Sequence, residues 1–348
     1  MNDMRAEILA GEGTESAQLM RMIHGYRVSQ IVATLAQLRI ADALAEGPRS
    51  GGELAEVLQT DHDALARLLR ASATIGLLEE RDRDRFTLTP LGALLRADAS
   101  GSLRDAAIAI AGPGQYRPWE RLLDAVREGR STATDALGTD LWSYYREHAE
   151  ERGRFVRTMS WVSNGGLDEL LASYDTSAFR RIVDVGGGGG ELLAAILSRN
   201  TTGSGVLFEL AAVIDGARRA PHLQRLDGRV ELIAGDFLED VPAGGDLYLL
   251  KQILLNWNDR HASTILSNCH RAASPGSKLL VIEWLLPSEP QPSGVHLLNL
   301  NMLVMLGGRQ RSAEEYRRLL AAAGYRVDRT IATGATSYPW TIIETTRV

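Results

Sequence analysis

The stretch VDVGGGGGELLAAI, residues 183–196, sets five glycines, Gly186 to Gly190, between an apolar strand pattern and a helical one. Such a turn lets backbone N–H groups approach a ligand closely at a helix N-terminus. Five glycines cost chain entropy that a plain turn does not return in packing. Three acids accompany the loop. Asp184 stands two residues before it, Glu209 ends the strand pattern GVLFEL, and Asp236 ends the next, in AGDF. A carboxylate at the second strand end can accept from both hydroxyls of a ribose. Asp236 can accept from an adenine amino group, with Phe237 supplying an apolar face. The dinucleotide fingerprint G-x-G-x-x-G has no register here. Its last position falls on Glu191, Leu192 or Leu193 when started at Gly186, Gly187 or Gly188. A G-K-[ST] ending is also missing, so the loop is no P-loop. What fits is G-x-G-x-G on Gly186, Gly188 and Gly190. With the three acids it predicts a site for S-adenosyl-L-methionine.

A second stretch raises the question of acid–base chemistry. In LLKQILLNWND, residues 249–259, a base is expected and none appears; Leu255 and Asn256 hold the centre. Other candidates lie elsewhere. Glu283, in IEWLL, either acts as a base or orients a donor, or is a buried hydrogen-bond acceptor. His296, in PSGVHLLNLNMLVML, shares one helical face with Asn299, Leu300 and Leu303. It is either a base or a histidine with a satisfied partner in a first helical turn. His24 is either a second candidate, reaching the pocket from a partner chain, or simply interfacial, and His270 reads as a helix cap. Trp119, Trp142, Tyr144 and Tyr145 are either aromatic walls of a pocket or core. The histidines are scattered and no H-E-x-x-H occurs, so no metal site is expected.

The elements that must position these groups follow from periodicity. From residue 180 short apolar strands alternate with helical segments, the grammar of a doubly wound α/β domain. The patterns YRVDRTIAT and WTIIETTRV, joined by a short link, predict an antiparallel hairpin closing that sheet. Residues 18–45 read as helix and are more apolar than one exposed helix should be, which a dimer contact explains. Ser50 and Glu53 form a capping box. A helix from about Asp61 and the charged hairpin EERDRDRFTLT complete a winged-helix layout. That layout serves either DNA recognition or a scaffold. Its second helix has only Arg67 and Arg70 as basic residues, and the chain's net charge is −6. Both weigh against nucleic acid and against an anionic membrane surface. The fold expected is α/β, a Rossmann-like doubly wound sheet with an antiparallel C-terminal hairpin, preceded by an all-helical/winged-helix dimerisation domain. Its divisions are residues 1–100 for dimerisation, 101–172 for a helical bridge and pocket wall, and 173–348 for the cofactor.

The 348 residues, 45% apolar and 24% charged, suit a globular protein with two or three domains. The single cysteine, Cys269, excludes an internal disulfide framework and suits a reducing cytoplasm. MNDMRAEILAGEGTES has no basic region followed by an apolar run, so no signal peptide is expected. No window reaches the length of a membrane span.

With these motifs in hand, the chain resembles the class I S-adenosylmethionine-dependent O-methyltransferases of small aromatic molecules, the caffeate and antibiotic-biosynthesis type. The resemblance spans nearly the whole chain, through VDVGGGGG, AGDF, SNCHRAASPGSKLLVIEWLLP and LGGRQRS. It implies a homodimer whose N-terminal helices intertwine and help to close the partner's pocket. It implies cofactor contacts at Gly186, Glu209, Asp236, Phe237 and Lys251. Met159 matches a pocket methionine near the sulfonium, and Arg152 a group reaching the cofactor carboxylate. The helix bearing His296 lines the family's substrate pocket, which makes Asn299 and Met302 substrate contacts, with Trp142 and Leu255. Two departures stand out. Members with a base carry histidine where this chain has Leu255, and one of two supporting glutamates is replaced by Gln310; the other is matched by Glu283. LLNW resembles the anthracycline subgroup that includes carminomycin 4-O-methyltransferase and aclacinomycin 10-hydroxylase. The first methylates without that histidine, and the second binds the cofactor without methylation as its main reaction.

Without a histidine, chemistry survives. A general base contributes ~10²–10⁴ in rate, about 3–5 kcal/mol. Alignment contributes ~7–11 kcal/mol. An acidified phenol or a carboxylate lowers the need for a base further, since an ordinary phenol has a pKa near ~10. The expected function is therefore O-methylation of such an acceptor on an aromatic or polyketide-type natural product. Asn256 would orient it, Leu255 would pack on its ring, and activity would be flat between about pH 6 and 9. The alternative is an enzyme of the same fold with non-methylating chemistry: a hydroxylase, decarboxylase or cyclase in which a fixed sulfonium charge assists.

Overall fold

The computed structural model describes residues 14–82, 84–226, 228–334 and 339–348. Residues 1–13, most of the stretch read for a targeting signal, lie outside them. The chain divides into two compact units. The first comprises the residues up to Arg117 with Trp142–Met159, and the second Pro118–Leu141 with Ser160–Val348. The segment 101–172, expected as a bridge, is thus shared between the two.

In the first unit the helical pattern over 18–45 resolves into three pieces, Glu15–Ile23, Gly25–Gln37 and Ile40–Ala43. Arg39, at φ +59°, enters the left-handed region and ends the second piece. The first piece buries none of its residues, and Met22 remains 68% exposed. The capping box forms as read. Ser50 Oγ accepts from the Glu53 N–H at 3.2 Å, and Glu53 Oε2 accepts from the Ser50 N–H at 2.6 Å, starting the helix Gly51–Leu58. Asp61 caps the helix His62–Thr74. Strands β1 (Arg49–Ser50), β2 (Leu78–Arg81) and β3 (Arg85–Leu88) form a small antiparallel sheet in the order β1-β3-β2. Leu35, Ile40, Leu54, Leu69, Leu78 and Phe86 fill the core between. Both arginines of the second helix face acids, Arg67 with Asp63 and Arg70 with Glu80.

The second unit is built on seven strands in the order β6-β5-β4-β7-β8-β10-β9. They are β4 (Arg181–Val185), β5 (Ser204–Glu209), β6 (Val230–Ala234), β7 (Leu247–Lys251), β8 (Lys278–Glu283), β9 (Tyr325–Ala332) and β10 (Thr341–Arg347). Pairing is parallel from β6 through β8, and β10 runs antiparallel to both β8 and β9. Strands β4, β7 and β8 are apolar runs with almost every residue buried, because helices cover both faces of a parallel sheet. One core packs around Tyr248, Leu250 and Val281, and the other around Leu193, Leu207 and Leu249. Strand order reverses at β4, flanked by β5 and β7, so the crevice for a ligand opens at the carboxyl end of β4.

Leu249 is fully buried in the middle of β7. Leu249→Ala is expected to destabilise the fold by about 2–5 kcal/mol, read from the urea midpoint by circular dichroism.

Candidate active site

The glycine loop leaves β4 at the switch point. The Gly186 N–H donates to the Phe208 carbonyl at 2.8 Å, pinning the loop to β5. Gly186 has φ +71°, and a Cβ there would lie 2.5 Å from Ile253 Cδ1. Only glycine suits both constraints. At Gly187 a Cβ would meet the Asp184 carboxyl at 2.5 Å, so the loop backbone lies against that acid. The helix Glu191–Arg199 begins at Gly190, and no side chain caps it. Its first N–H groups and the loop amides form the cradle expected of an anion- or nucleotide-binding turn. The sequence reading missed His222, whose Nε2 lies 2.9 Å from the Gly189 carbonyl. It sits 33 residues away on the short helix Pro221–Gln224, and no local pattern marks it.

The three acids end three adjacent strands. Asp184 is 1% exposed, and its Oδ2 has no hydrogen-bond partner among the described residues. Burial pushes its carboxyl up to about 7, while the Lys251 charge pulls in the other direction. Burial also raises Glu209, opposed by the N–H groups of Leu210 and Gly188. The Leu210 N–H donates to Glu209 Oε1 at 2.7 Å. Asp236 Oδ1 accepts from the Leu238 N–H at 2.8 Å, which shapes the turn after β6. Phe237 stands edge-on to Trp257, 5.9 Å between ring centres, and its carbonyl accepts from Asn268. Lys251 ends β7. Its Nζ donates to the carbonyl and hydroxyl of Ser163 and lies 4.2 Å over the Trp340 ring. Burial pulls its ammonium down to about 8.

The LLNW segment forms a tight turn. Gln252, at φ +57°, reverses the chain, and Leu254–Asn256 make one turn of 3₁₀-helix. Leu255 is 4% exposed, and its N–H donates to Glu283 Oε1 at 3.4 Å. Asn256 Nδ2 donates to the Gln252 carbonyl at 2.9 Å, which fixes its side chain. Glu283 is fully buried, and its Oε2 has no partner among the described residues. Burial pushes it up to about 8, opposed by the Leu255 N–H and by Arg311. Gln310 is equally buried, and both atoms of its amide lack partners there. Its backbone N–H donates to Asn299 Oδ1 at 2.8 Å, which ties the GGRQRS segment to the helix Gly294–Leu306. Met302 is buried on that helix, and Asn301 accepts from Trp119 Nε1 at 2.9 Å.

His296 is exposed, with Nε2 3.2 Å from the Gln291 carbonyl, and no hydrogen bond among the described residues joins it to Asn256 or Glu283. His270 Nε2 lies 3.3 Å from the Val348 carbonyl. Arg152, Met159, Trp142, Tyr144 and Tyr145 belong to the first unit. Arg152 is exposed and Met159 partly so. Trp142 meets Phe155 edge-on at 6.4 Å, and Tyr145 stacks on Phe155 at 4.7 Å. Tyr144 donates its hydroxyl to Glu151. Among the described residues no group of three or more His, Cys, Asp or Glu side chains is placed to hold a metal ion. No helix there is long and apolar enough to cross a membrane.

These features fit S-adenosylmethionine. A buried carboxyl with an unpartnered oxygen complements a cationic ligand, and a cradle that a single Cβ would fill needs the close approach of a backbone. Gly186→Ala is expected to weaken S-adenosylmethionine binding at least tenfold by isothermal titration calorimetry. Glu283 provides a separate check. Its carboxyl is held above its ordinary value, so its contribution to stability is complete below about pH 4.5 and declines up to about 8. Glu283→Gln removes that decline. The variant's denaturation midpoint should gain on the wild type between pH 5 and 8, by on the order of a few kcal/mol in free energy.

Comparison with known proteins agrees. Residues 119–326 match the O-methyltransferase domain, and residues 20–98 match the O-methyltransferase dimerisation domain. A phenazine O-methyltransferase from Lysobacter antibioticus is 35% identical, over 94% of this chain and 95% of its own. Aclacinomycin 10-hydroxylase from Streptomyces purpurascens is 34% identical, over 90% and 86%. The solved structure of an O-methyltransferase from neocarzinostatin biosynthesis, in complex with S-adenosylmethionine and 2-hydroxy-5-methyl naphthoic acid, superposes with a TM-score of 0.82. It is 30% identical and covers 92% of this chain and 96% of that one. The cradle, the strand-end acids and these matches together make the chain a member of the S-adenosylmethionine-dependent O-methyltransferase family.

Proposed function

We propose that the protein is a homodimeric O-methyltransferase of natural-product metabolism. It methylates an acidic phenol or a carboxylate on an aromatic substrate, and its rate comes from orientation, not from a histidine base. One observation carries this reading: the position where a base is expected holds Leu255, buried on a turn with fixed backbone. The relatives' aromatic and antibiotic substrates support the acceptor class, as does the naphthoic acid held by the neocarzinostatin enzyme. The exposed apolar side chains Met20, Met22 and Ile23, within the matched dimerisation domain, support the homodimer. The single buried cysteine suits a reducing cytoplasm.

When bound, the cofactor supplies a methyl group on a sulfonium, which is already a good leaving group. The protein's residues then have two tasks, alignment and exclusion of water. Gly186, Gly188, Asp184, Glu209, Asp236 and Phe237 hold the cofactor at the carboxyl edge of the sheet. Leu255 offers an apolar surface to the acceptor ring. Asn256, steadied by its bond to the Gln252 carbonyl, orients the acceptor oxygen. Asn299 and Met302 are the substrate contacts from the helix Gly294–Leu306. Glu283, mostly protonated near neutral pH, keeps the Leu255 N–H in place without adding a charge. Alignment outweighs the missing base, at about 7–11 against 3–5 kcal/mol.

The test uses 1-hydroxy-2-naphthoic acid, whose carboxylate is ionised throughout. Stoichiometric S-adenosylhomocysteine and a product heavier by one methylene are expected by mass spectrometry. At saturating cofactor, kcat should show no rise centred near the ordinary histidine value of about 6.5. Any inflection nearer 8 that vanishes in Glu283→Gln reports that buried carboxyl and not a histidine. A histidine-like rise, or turnover supported equally by S-adenosylhomocysteine, overturns the reading.

A further inference from the structure

Arg311 is among the most buried large side chains of the protein, at 1% exposed. A guanidinium in such a place needs its donors satisfied. Nη1 donates to the Leu254 carbonyl at 2.8 Å and to the Arg309 carbonyl at 3.3 Å. Nη2 donates to the Trp257 carbonyl at 2.9 Å and to Asp259 Oδ1 at 2.8 Å, and Nε to the same Oδ1 at 2.9 Å. The guanidinium carbon lies 5.7 Å from the centre of the Tyr316 ring. The two turn carbonyls bracket Leu255 and Asn256, one just before the pair and one just after. The backbone of Arg311 is anchored too, since its carbonyl accepts from the Leu286 N–H at 3.0 Å beyond β8. From another side Gly308 packs its bare Cα against the turn. A Cβ there would lie 2.3 Å from the Leu255 carbonyl oxygen.

We propose that Arg311 is a positioning residue for methyl transfer: its buried guanidinium clamps the Leu254–Trp257 turn and so sets the place of Leu255 and Asn256 against the acceptor. It touches no reacting atom. The inference rests on the reading that this turn meets the acceptor. Here the turn supplies position alone, so its displacement acts directly on rate. Lysine cannot replace arginine, because one ammonium cannot reach both carbonyls and Asp259 in the plane the fork provides. The Asp259 side chain is 61% exposed against 1% for Arg311, so the carboxylate stays solvated while the buried donors are spent mainly on carbonyls.

The test labels the protein with 5-fluorotryptophan and assigns the Trp257 resonance with Trp257→Phe. In Arg311→Lys the Trp257 fluorine line should shift or split while the Trp340 line stays in place. The S-adenosylmethionine dissociation constant should remain within about threefold. With 1-hydroxy-2-naphthoic acid, kcat should fall about a hundredfold at unchanged cofactor KM. Asp259→Asn keeps the guanidinium and weakens its anchor. It should move the same line by less, which keeps the test decisive if Arg311→Lys does not fold. An unmoved Trp257 line in either folded variant overturns the clamp, and a moved line with unchanged kcat overturns its role in catalysis. If the wild type does not methylate this probe, the acceptor reading fails on its own account and the fluorine spectrum still decides the clamp.

Discussion

Parallel pairing of β4 with both β5 and β7 is the constraint on which the rest depends. Strand order reverses there, so helices leave the sheet in opposite directions and a crevice opens at the carboxyl edge. The proposed cofactor residues of the second unit reach that edge by the same route, each lying at or just after the end of a strand. Asp184, Glu209 and Asp236 arrive this way, and so does Lys251. The glycine loop is the tightest point, since Gly186 lies against Ile253 and Gly187 against Asp184. Crowding on both sides leaves only backbone to meet a ligand.

A second layer of constraint lies beyond β7. The LLNW turn has no regular partner strand, yet it is held by Glu283 through the Leu255 N–H, by Arg311 through two carbonyls and by Gly308 through bare contact. These three come from the end of β8 and from the GGRQRS segment before the helix Ala313–Ala322. A single apolar residue in the turn is thus fixed by polar groups from two distant stretches. Buried polar groups without hydrogen-bond partners among the described residues, Glu283 Oε2 and the Gln310 amide, sit on those same two stretches. Unsatisfied burial of this kind is costly in a core and is characteristic of sites that receive a ligand.

Electrostatics follow the same logic. Asp184 and Glu283 are both pushed toward their neutral forms by burial, and Lys251 is pulled toward its own. Lys251 ends β7, where its ammonium donates to Ser163 and lies over the Trp340 ring.

Much was legible in the sequence because local chemistry dictates it. Ser50 and Glu53 cap their helix through bonds that span three residues, and the glycine run turns between β4 and the helix that follows it. Continuous apolar strands alternating with helices determine a parallel sheet, and WTIIETTRV after YRVDRTIAT determines an antiparallel edge. The absence of a base at Leu255 was equally plain. Tertiary structure alone decided the rest. The break at Arg39 depends on packing that makes a left-handed residue tolerable, and His222 meets Gly189 only because a short helix folds back over the loop. Arg311, one charge among many along the chain, became the buried fork behind the turn for the same reason. Its partners lie 52 to 57 residues away, and hydrogen bonds across such separations are set by how the sheet and its helices pack, not by any pattern along the chain.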